Sequence, residues 1–179
     1  MFVIRQSNNI QRVLTSAKVR NTNIQRGPIF EQGAGSFKCD GCHACNIVKN
    51  TTSFKSTNTK RKYHIRQKIN CRSSFLIYFI FCSNCRGNYV GKTKREFRKR
   101  HSGHKQEISN RVGGLGEHFH SSNNRGCSYN HLEATLIETV QHGDEAKLAE
   151  RELYWQYQLR TFKENGGNGM NLTETGECL

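Results

Sequence analysis

The fold is decided by the stretch Phe75-Leu76-Ile77-Tyr78-Phe79-Ile80-Phe81-Cys82, together with the shorter run Asn88-Tyr89-Val90-Gly91 that follows it. The first run is rich in β-branched and aromatic side chains and has the length of a strand, so it predicts the central strand of a sheet. The residues between the two runs are turn formers. The runs therefore predict an antiparallel hairpin in which each strand carries one tyrosine, Tyr78 or Tyr89.

A helix is predicted after the hairpin, from about Arg95 to Ser109. Thr93 is its candidate N-cap, with Glu96 three residues after the cap. Glycines at positions 113, 114 and 116 then predict a break, followed by a short turn over residues 117–120.

The next segments complete a small domain. Residues 132–140 alternate as a third strand does, and Asp144 is expected to begin a helix that ends near Leu159. The fold class predicted is α/β (α+β): a three-stranded antiparallel sheet flanked by helices, preceded by a cysteine-rich segment.

Composition divides the chain into three predicted parts. Residues 1–36 are a basic arm and linker, in which a helix could form over residues 10–19. Residues 37–72 are cysteine-rich and have few apolar side chains. This segment therefore cannot fold by burial alone and needs a cross-link such as a bound metal ion. Residues 73–175 form the domain that contains the hairpin.

The charge of the chain predicts a polyanionic partner. The formal net charge is +14, and residues 1–131 alone carry 24 basic and 5 acidic side chains. No apolar run approaches the roughly 20 residues of a membrane span, and no signal peptide is evident. The eight cysteines are therefore expected in a reducing compartment, as metal ligands rather than disulfides.

The cysteines form two sets with the spacing of zinc ligands. Cys39, Cys42, Cys45 and Cys71 offer four thiolates for a closed tetrahedral site, with His43 as a competitor. The second set begins with Cys82-x-x-Cys85 in the hairpin connection. Its partners come from four candidates: His118, His120, Cys127 and His131.

The last helix carries a carboxylate on an otherwise apolar stripe. Leu148, Glu152, Trp155 and Leu159 are spaced so that they share one helix face. A carboxylate facing a core is costly unless it is paired or binds a metal. Glu152 is therefore either a salt-bridged glutamate at the edge of the stripe or a metal ligand.

Arg100 and His104 are four residues apart and share a face of the first helix. An arginine can clamp a phosphate, a histidine can move a proton, and a tyrosine can orient or deprotonate a water. The surrounding cations predict a face that binds a nucleic-acid backbone: Lys92, Lys94, Arg95, Arg98 and Lys99.

In combination these motifs resemble the GIY-YIG nuclease family over about residues 74–172. The cysteine-rich preface, Cys82-x-x-Cys85 between the half-motifs, Tyr89-Val-Gly-Lys-Thr93 and Gly169-Met-Asn171 are similar to the endonuclease domain of Penelope-like retroelements. The first half-motif departs from the family because Leu76 stands where the family has glycine.

The resemblance implies hydrolysis of a phosphodiester bond in DNA, for integration of a retroelement. It places Tyr78 and Tyr89 near the attacking water and Arg100 on the scissile phosphate, with His104 in support. It also places Mg²⁺ or Mn²⁺ on Glu152, with Asn171 ordering the site. Arg100 lies one residue farther from Tyr89 than in some relatives, so Lys99 or Arg98 could take its role.

In the family pattern two histidines complete the second zinc site, and here Cys127 takes the position of the second histidine. We therefore expect Cys82, Cys85, His118 and Cys127 to form this site, which gives two structural zinc ions.

The resemblance further implies a reverse transcriptase region as a partner, which these 179 residues do not contain, and a nuclear location. Two other functions fit the same composition. One is a zinc-stapled nucleic-acid-binding module without catalysis, and the other is a repair nuclease that recognises DNA structure.

Overall fold

The computed structural model describes residues 33–121, 126–163 and 168–172. The helix predicted over residues 10–19, most of the predicted arm and Cys178 lie outside these ranges. In the described part of the chain, no helix is long and apolar enough to cross a membrane.

The described residues form seven strands and three α-helices. The strands are β1 (Gly35–Phe37), β2 (Ser53–Lys55), β3 (Lys62–His64), β4 (Lys68–Asn70), β5 (Leu76–Cys82), β6 (Asn88–Thr93) and β7 (Leu132–Thr139). The helices are α1 (Phe97–Asn110), α2 (Gly113–His120) and α3 (Glu145–Leu159).

The predicted three-stranded sheet is confirmed. Strand β5 lies in the centre and pairs antiparallel with β6 on one side and β7 on the other. The register places Tyr78 opposite Gly91 and Ile80 opposite Tyr89. Because side chains alternate along a strand, Tyr78 and Tyr89 lie on the same face of the sheet.

The start of the first helix differs from the prediction. Helix α1 begins at Phe97 with Glu96 as its N-cap residue, and no side chain caps it. The Thr93 hydroxyl instead accepts a hydrogen bond from the Arg95 amide, at 3.1 Å, and donates one to the Arg95 carbonyl, at 3.0 Å. Thr93 therefore closes a local turn between β6 and the helix.

The predicted break after the first helix is present at Arg111 and Val112, where the backbone is left-handed and then extended. Its predicted position on the glycines and the predicted short turn were wrong, because these residues belong to α2. A Cβ atom on Gly114 would lie 2.1 Å from the Met170 carbonyl oxygen, and one on Gly116 would lie 2.7 Å from the Glu107 carbonyl oxygen. The glycines at these two positions allow α2 to pack closely against α1 and against the segment at Met170.

The cysteine-rich segment is joined to the sheet through its backbone. Strand β1, where a linker was predicted, pairs in parallel with β4, while β2 and β3 form a hairpin. The Lys49 amide donates to the Ala134 carbonyl at 2.9 Å, and the Ala134 amide donates to the Ile47 carbonyl at 2.7 Å. These bonds dock the segment on β7, and its buried side chains continue the core of the sheet.

Candidate active site and metal centres

Tyr78 is the centre of a buried hydrogen-bond network. Its side chain is fully buried on β5, and its hydroxyl lies 2.7 Å from Nε2 of His104. The same hydroxyl accepts a hydrogen bond from Nε of Arg100 at 3.1 Å. The predicted spacing of Arg100 and His104 on one face of α1 thus brings both side chains to one phenol.

Glu107 completes this network from the next turn of α1. Its carboxylate accepts one hydrogen bond from Nη1 of Arg100 and one from Nδ1 of His104, each at 2.8 Å. An ionised carboxylate can only accept, so Nδ1 of His104 carries a proton. In the neutral imidazole Nε2 is then an acceptor, and the Tyr78 hydroxyl donates to it.

The environment fixes the protonation of these groups. Burial lowers the pKa of His104, against the hydrogen bond to Glu107, which raises it. His104 is therefore neutral at neutral pH. Burial also raises the pKa of Tyr78 well above its ordinary value and raises that of Tyr89 to about 12. Both tyrosines are thus neutral phenols at neutral pH. Tyr78 can lose its proton only to a neighbouring base, and the base within hydrogen-bond distance is Nε2 of His104.

Tyr89 lies beside Tyr78 on the same face of the sheet. The two ring centroids are 6.3 Å apart, and the Tyr89 ring meets the His104 ring edge-on at 5.9 Å. Gly91 leaves space for both rings, since a Cβ atom there would lie 2.5 Å from the Tyr78 hydroxyl and 2.7 Å from Cε1 of Tyr89.

Asn171 supports Tyr89 through the backbone. Its side-chain oxygen accepts from the Val90 amide at 3.0 Å, and its Nδ2 donates to the Val90 carbonyl at 2.8 Å. The segment that contains Asn171 runs parallel to β6 at residues 88 and 169. The Asn171 side chain thus pairs with the backbone of β6 at its outer edge, as a neighbouring strand would, and holds the strand that carries Tyr89.

Glu152 is nearly buried on α3. Leu148 and Leu159 of its stripe are fully buried, and the Glu152 side chain is only 14% exposed. Its charge raises the pKa of both Tyr78 and Tyr89, so the carboxylate acts electrostatically on the two phenols. The Glu152 carboxylate forms an ion pair with the Lys92 ammonium group.

The predicted backbone-binding cations do not form one uniform face. Lys92 is on β6 and points to Glu152 inside the site. Lys94 pairs with Glu145 at 2.5 Å, and Arg98 pairs with Glu96 at 2.6 Å. The two remaining cations, Arg95 and Lys99, are exposed and have no carboxylate partner in the described part of the chain.

The first set of cysteines converges. Cys39, Cys42, Cys45 and Cys71 place their sulfur atoms within 4.8 Å of one another, and the closest pairs are 3.4 to 3.8 Å apart. Four thiolates about 2.3 Å from a tetrahedral zinc ion would be about 3.8 Å apart. The spacing is also far longer than the roughly 2.05 Å of a disulfide. These four residues could hold a metal ion.

The second set consists of Cys82, Cys85, His118 and Cys127, whose ligand atoms also lie within 4.8 Å of one another. The sulfur atoms of Cys82 and Cys127 are 3.7 Å apart, and Cys85 Sγ is 3.4 Å from His118 Nε2. The Gly87 amide and the Asn84 side chain donate to Cys85 Sγ and Cys127 Sγ at 3.3 and 3.4 Å. Such donors stabilise thiolates, so this set too could hold a metal ion.

The competing candidates for the metal sites lie elsewhere. His120 Nε2 hydrogen-bonds the Ile108 carbonyl at 2.8 Å, and His131 Nδ1 accepts from the Ser128 amide at 2.9 Å. His43 is exposed and belongs to neither cluster.

The sequence patterns did not place Glu107 or Lys92 beside the other residues of the site. Glu107 could have been found, because it follows Arg100 by seven residues and His104 by three, and this spacing shares a helix face. For Lys92, strand alternation predicts only the face of the sheet on which the side chain lies. Its partner, Glu152 of α3, is a tertiary contact that no local pattern predicts.

No family model matches the chain, and no curated protein is similar enough to be matched with it. Among solved structures, the catalytic domain of the homing endonuclease I-TevI is similar, with 26% sequence identity and a TM-score of 0.43. The similarity covers 54% of this chain and 96% of that domain.

Proposed function

We propose that this chain is a metal-dependent DNA endonuclease of the GIY-YIG type, which hydrolyses a phosphodiester bond. The observation that carries the proposal is a buried network of four side chains: Tyr78, Arg100, His104 and Glu107. The nearly buried carboxylate of Glu152 acts electrostatically on the phenol at its centre. A buried phenol, a neutral imidazole, a guanidinium and a carboxylate are the groups that hydrolysis of a phosphodiester needs.

The donor set fits a catalytic Mg²⁺ or Mn²⁺ ion. A carboxylate oxygen is the protein ligand these hard cations prefer, and Mg²⁺ is often held by one or two carboxylates together with waters and substrate phosphates. Glu152 would hold the ion, and the Lys92 ammonium shows that this carboxylate already attracts a cation. When bound, the ion would neutralise charge on the phosphate and lower the pKa of a water.

The network gives the proton of the attacking water a path. As the water oxygen bonds to phosphorus, the bond from phosphorus to the leaving oxygen would break, and the leaving oxygen would take a proton from solvent. In the same step the Tyr78 oxygen would accept a water proton, and the Tyr78 hydroxyl proton would pass to Nε2 of His104. The Glu107 carboxylate stabilises the imidazolium that forms. Arg100 donates to the Tyr78 oxygen throughout and keeps its remaining N–H groups for the phosphate.

We assign zinc to both cysteine clusters as a structural ion. The spacing of the ligand atoms supports this assignment. We also propose that the endonuclease serves a Penelope-like retroelement in the nucleus, together with a reverse transcriptase. The motifs that resemble that family, and basic runs such as Lys60-Arg61-Lys62, support this part of the proposal.

A nicking assay on supercoiled plasmid tests the proposal. The purified chain should convert supercoiled DNA to the open-circular form in the presence of Mg²⁺ or Mn²⁺, and not when EDTA replaces the metal. If the chain binds the plasmid and leaves it intact with either metal, it is a binding module and not an enzyme.

Glu107→Gln should reduce the nicking rate by at least about tenfold, because the amide no longer fixes the His104 tautomer or stabilises its imidazolium. The pH profile should also change. Glu107 raises the pKa of His104, so its loss should move the acidic limb of the profile to lower pH.

Imidazole ¹⁵N chemical shifts give an independent measure of the tautomer. They should report Nδ1–H for His104 in the parent and a mixture of tautomers in Glu107→Gln. Glu117→Gln, an exposed change on α2, is the control. An unaltered tautomer and pH profile in Glu107→Gln would remove Glu107 from the mechanism.

Gly91→Ala should lower the nicking rate by at least about tenfold, since its methyl group would overlap the Tyr78 hydroxyl and the Tyr89 ring. The control is Gly103→Ala within α1, where the nearest atom to the new Cβ is Arg100 Nη1 at 3.4 Å. The control should nick normally and melt at a slightly higher temperature, because alanine favours a helix. Equal nicking rates for the two variants would show that the tyrosines tolerate displacement.

A further inference from the structure

A groove lies on the surface between the β2–β3 hairpin and the end of α3. It has a volume of about 400 Å³. Its lining is polar and basic and contains one aromatic ring: Asn58, Thr59, Arg61, Tyr157, Gln158 and Arg160. None of these residues takes part in the network around Tyr78 or in either cysteine cluster.

The walls of the groove are fixed to each other by three hydrogen bonds. Tyr63, Ser56 and Asn58 of the hairpin region donate from their side chains to the carbonyls of Gln158, Leu159 and Arg160, at 3.0, 2.8 and 2.7 Å. These bonds satisfy carbonyls at the end of α3, which would otherwise repel an anion. The groove is therefore pre-formed and does not present a bare helix C-terminus.

Tyr157 offers a stacking surface. Its side chain is 50% exposed, and its ring meets the buried Phe162 ring edge-on at 5.4 Å between centroids. The ring is thus supported on one side and open to solvent on the other. An exposed aromatic ring held in this way can stack on an unpaired nucleobase.

The charges around Tyr157 complement a phosphodiester backbone. Arg61 and Arg160 line the groove, and neither has a carboxylate partner in the described ranges. Lys60 and Lys62 extend the positive charge along the exposed hairpin, again without an ion pair among the described residues. This arrangement matches a nucleotide, since the guanidinium groups can bind phosphates and the aromatic ring can stack on a base.

We infer that this groove binds one nucleotide of single-stranded DNA, with the base stacked on Tyr157 and the adjoining phosphates held by Arg61 and Arg160. A duplex does not fit, because its bases are stacked on each other and the groove has room for about one nucleotide. The choice of DNA over RNA rests on the proposed endonuclease function.

Fluorescence anisotropy tests the groove with a labelled 12-nucleotide oligothymidine and an abasic strand of equal length, in buffer without Mg²⁺. The parent should prefer oligothymidine to the abasic strand by about tenfold, as one stacked base allows. Tyr157→Ala should lose this preference and keep its affinity for the abasic strand. Tyr154→Ala, which removes a tyrosine exposed on the same helix outside the groove, should keep the preference.

The arginines are tested by the salt dependence of binding. Arg61→Gln should lower the slope of log affinity against log salt by about 0.7, the contribution of one phosphate contact on a single strand. Arg66→Gln, an equal loss of charge outside the groove, should leave the slope unchanged.

Three results would overturn the inference: an unchanged base preference in Tyr157→Ala, equal slopes for the two arginine variants, or a loss of duplex affinity in Tyr157→Ala as large as its loss of oligothymidine affinity. Plasmid nicking by the parent is measured in parallel. Its absence would contradict the endonuclease, while the binding data would still decide the groove.

Discussion

Glu152→Gln is expected to reduce plasmid nicking by at least about a hundredfold while DNA binding stays unchanged. The amide keeps the shape of the side chain and removes the charge that would hold a divalent cation, and that cation would offset the negative charge that develops on the phosphoryl oxygens. Because the Glu152 side chain is only 14% exposed, solvent cannot take the place of this carboxylate.

The control for this change lies two residues away. Glu150→Gln removes an equal charge from the exposed side of α3, where Glu150 pairs only with Lys147. It should nick at the parental rate. The loss of the Lys92 partner in Glu152→Gln should cost about 1 kcal/mol of stability, which thermal unfolding would report. Parental nicking by a folded Glu152→Gln would contradict the catalytic assignment.

Local sequence patterns were sufficient for the sheet and for the first cysteine cluster. A run as apolar as residues 75–82 is expected to be buried, so the central strand follows from composition alone. The first cluster follows from short cysteine spacings in a segment too polar to fold by burial, whereas the patterns left four candidates for the last two ligands of the second cluster. In the structure both sets of predicted ligands come together.

Packing between distant segments was beyond these patterns. The glycines at 114 and 116 have the sequence signature of a helix break, yet they sit in α2 because backbone atoms of Met170 and Glu107 approach them closely. The same limit applies to Lys92, which looks like one more surface cation in a basic run. Its pairing with Glu152 depends on how α3 packs against β6, and local sequence spacing does not predict that packing.

The candidate site illustrates the same division. Helical periodicity alone places Arg100, His104 and Glu107 on one face of α1. That this face meets Tyr78, and that Glu107 selects the tautomer of His104, becomes visible only when the distances are known. A single sequence thus indicated which residue types gather, and the structure supplies their contacts.

Metal removal should have the second large effect. The purified chain should contain two zinc ions, and Cys45→Ser should reduce this to one, as measured by mass spectrometry of the native protein and by elemental analysis. Binding of a structural zinc ion contributes about 10 kcal/mol or more in small zinc domains, which exceeds what the thin core of residues 37–72 can replace. Cys45→Ser should therefore expose the backbone of this segment to rapid hydrogen exchange.

His43→Ala is the matched control, because His43 adjoins the first cluster in sequence but is exposed and contributes no ligand atom. It should retain two zinc ions and the parental exchange pattern. A parent that carries no zinc, or a Cys45→Ser variant that keeps two, would exclude the assignment of zinc to this cluster.

Cys85→Ser should separate the roles of the two clusters. Cys82 ends β5 four residues after Tyr78, and Cys85 lies four residues before Tyr89, so the second cluster ties together the ends of the strands that carry both tyrosines. Loss of this tie should reduce nicking by at least about tenfold, because small displacements of reacting groups are costly. Hydrogen exchange in the first cluster should stay parental. Loss of nicking with Cys45→Ser but not with Cys85→Ser would reverse this assignment and place the catalytic support in the cysteine-rich segment.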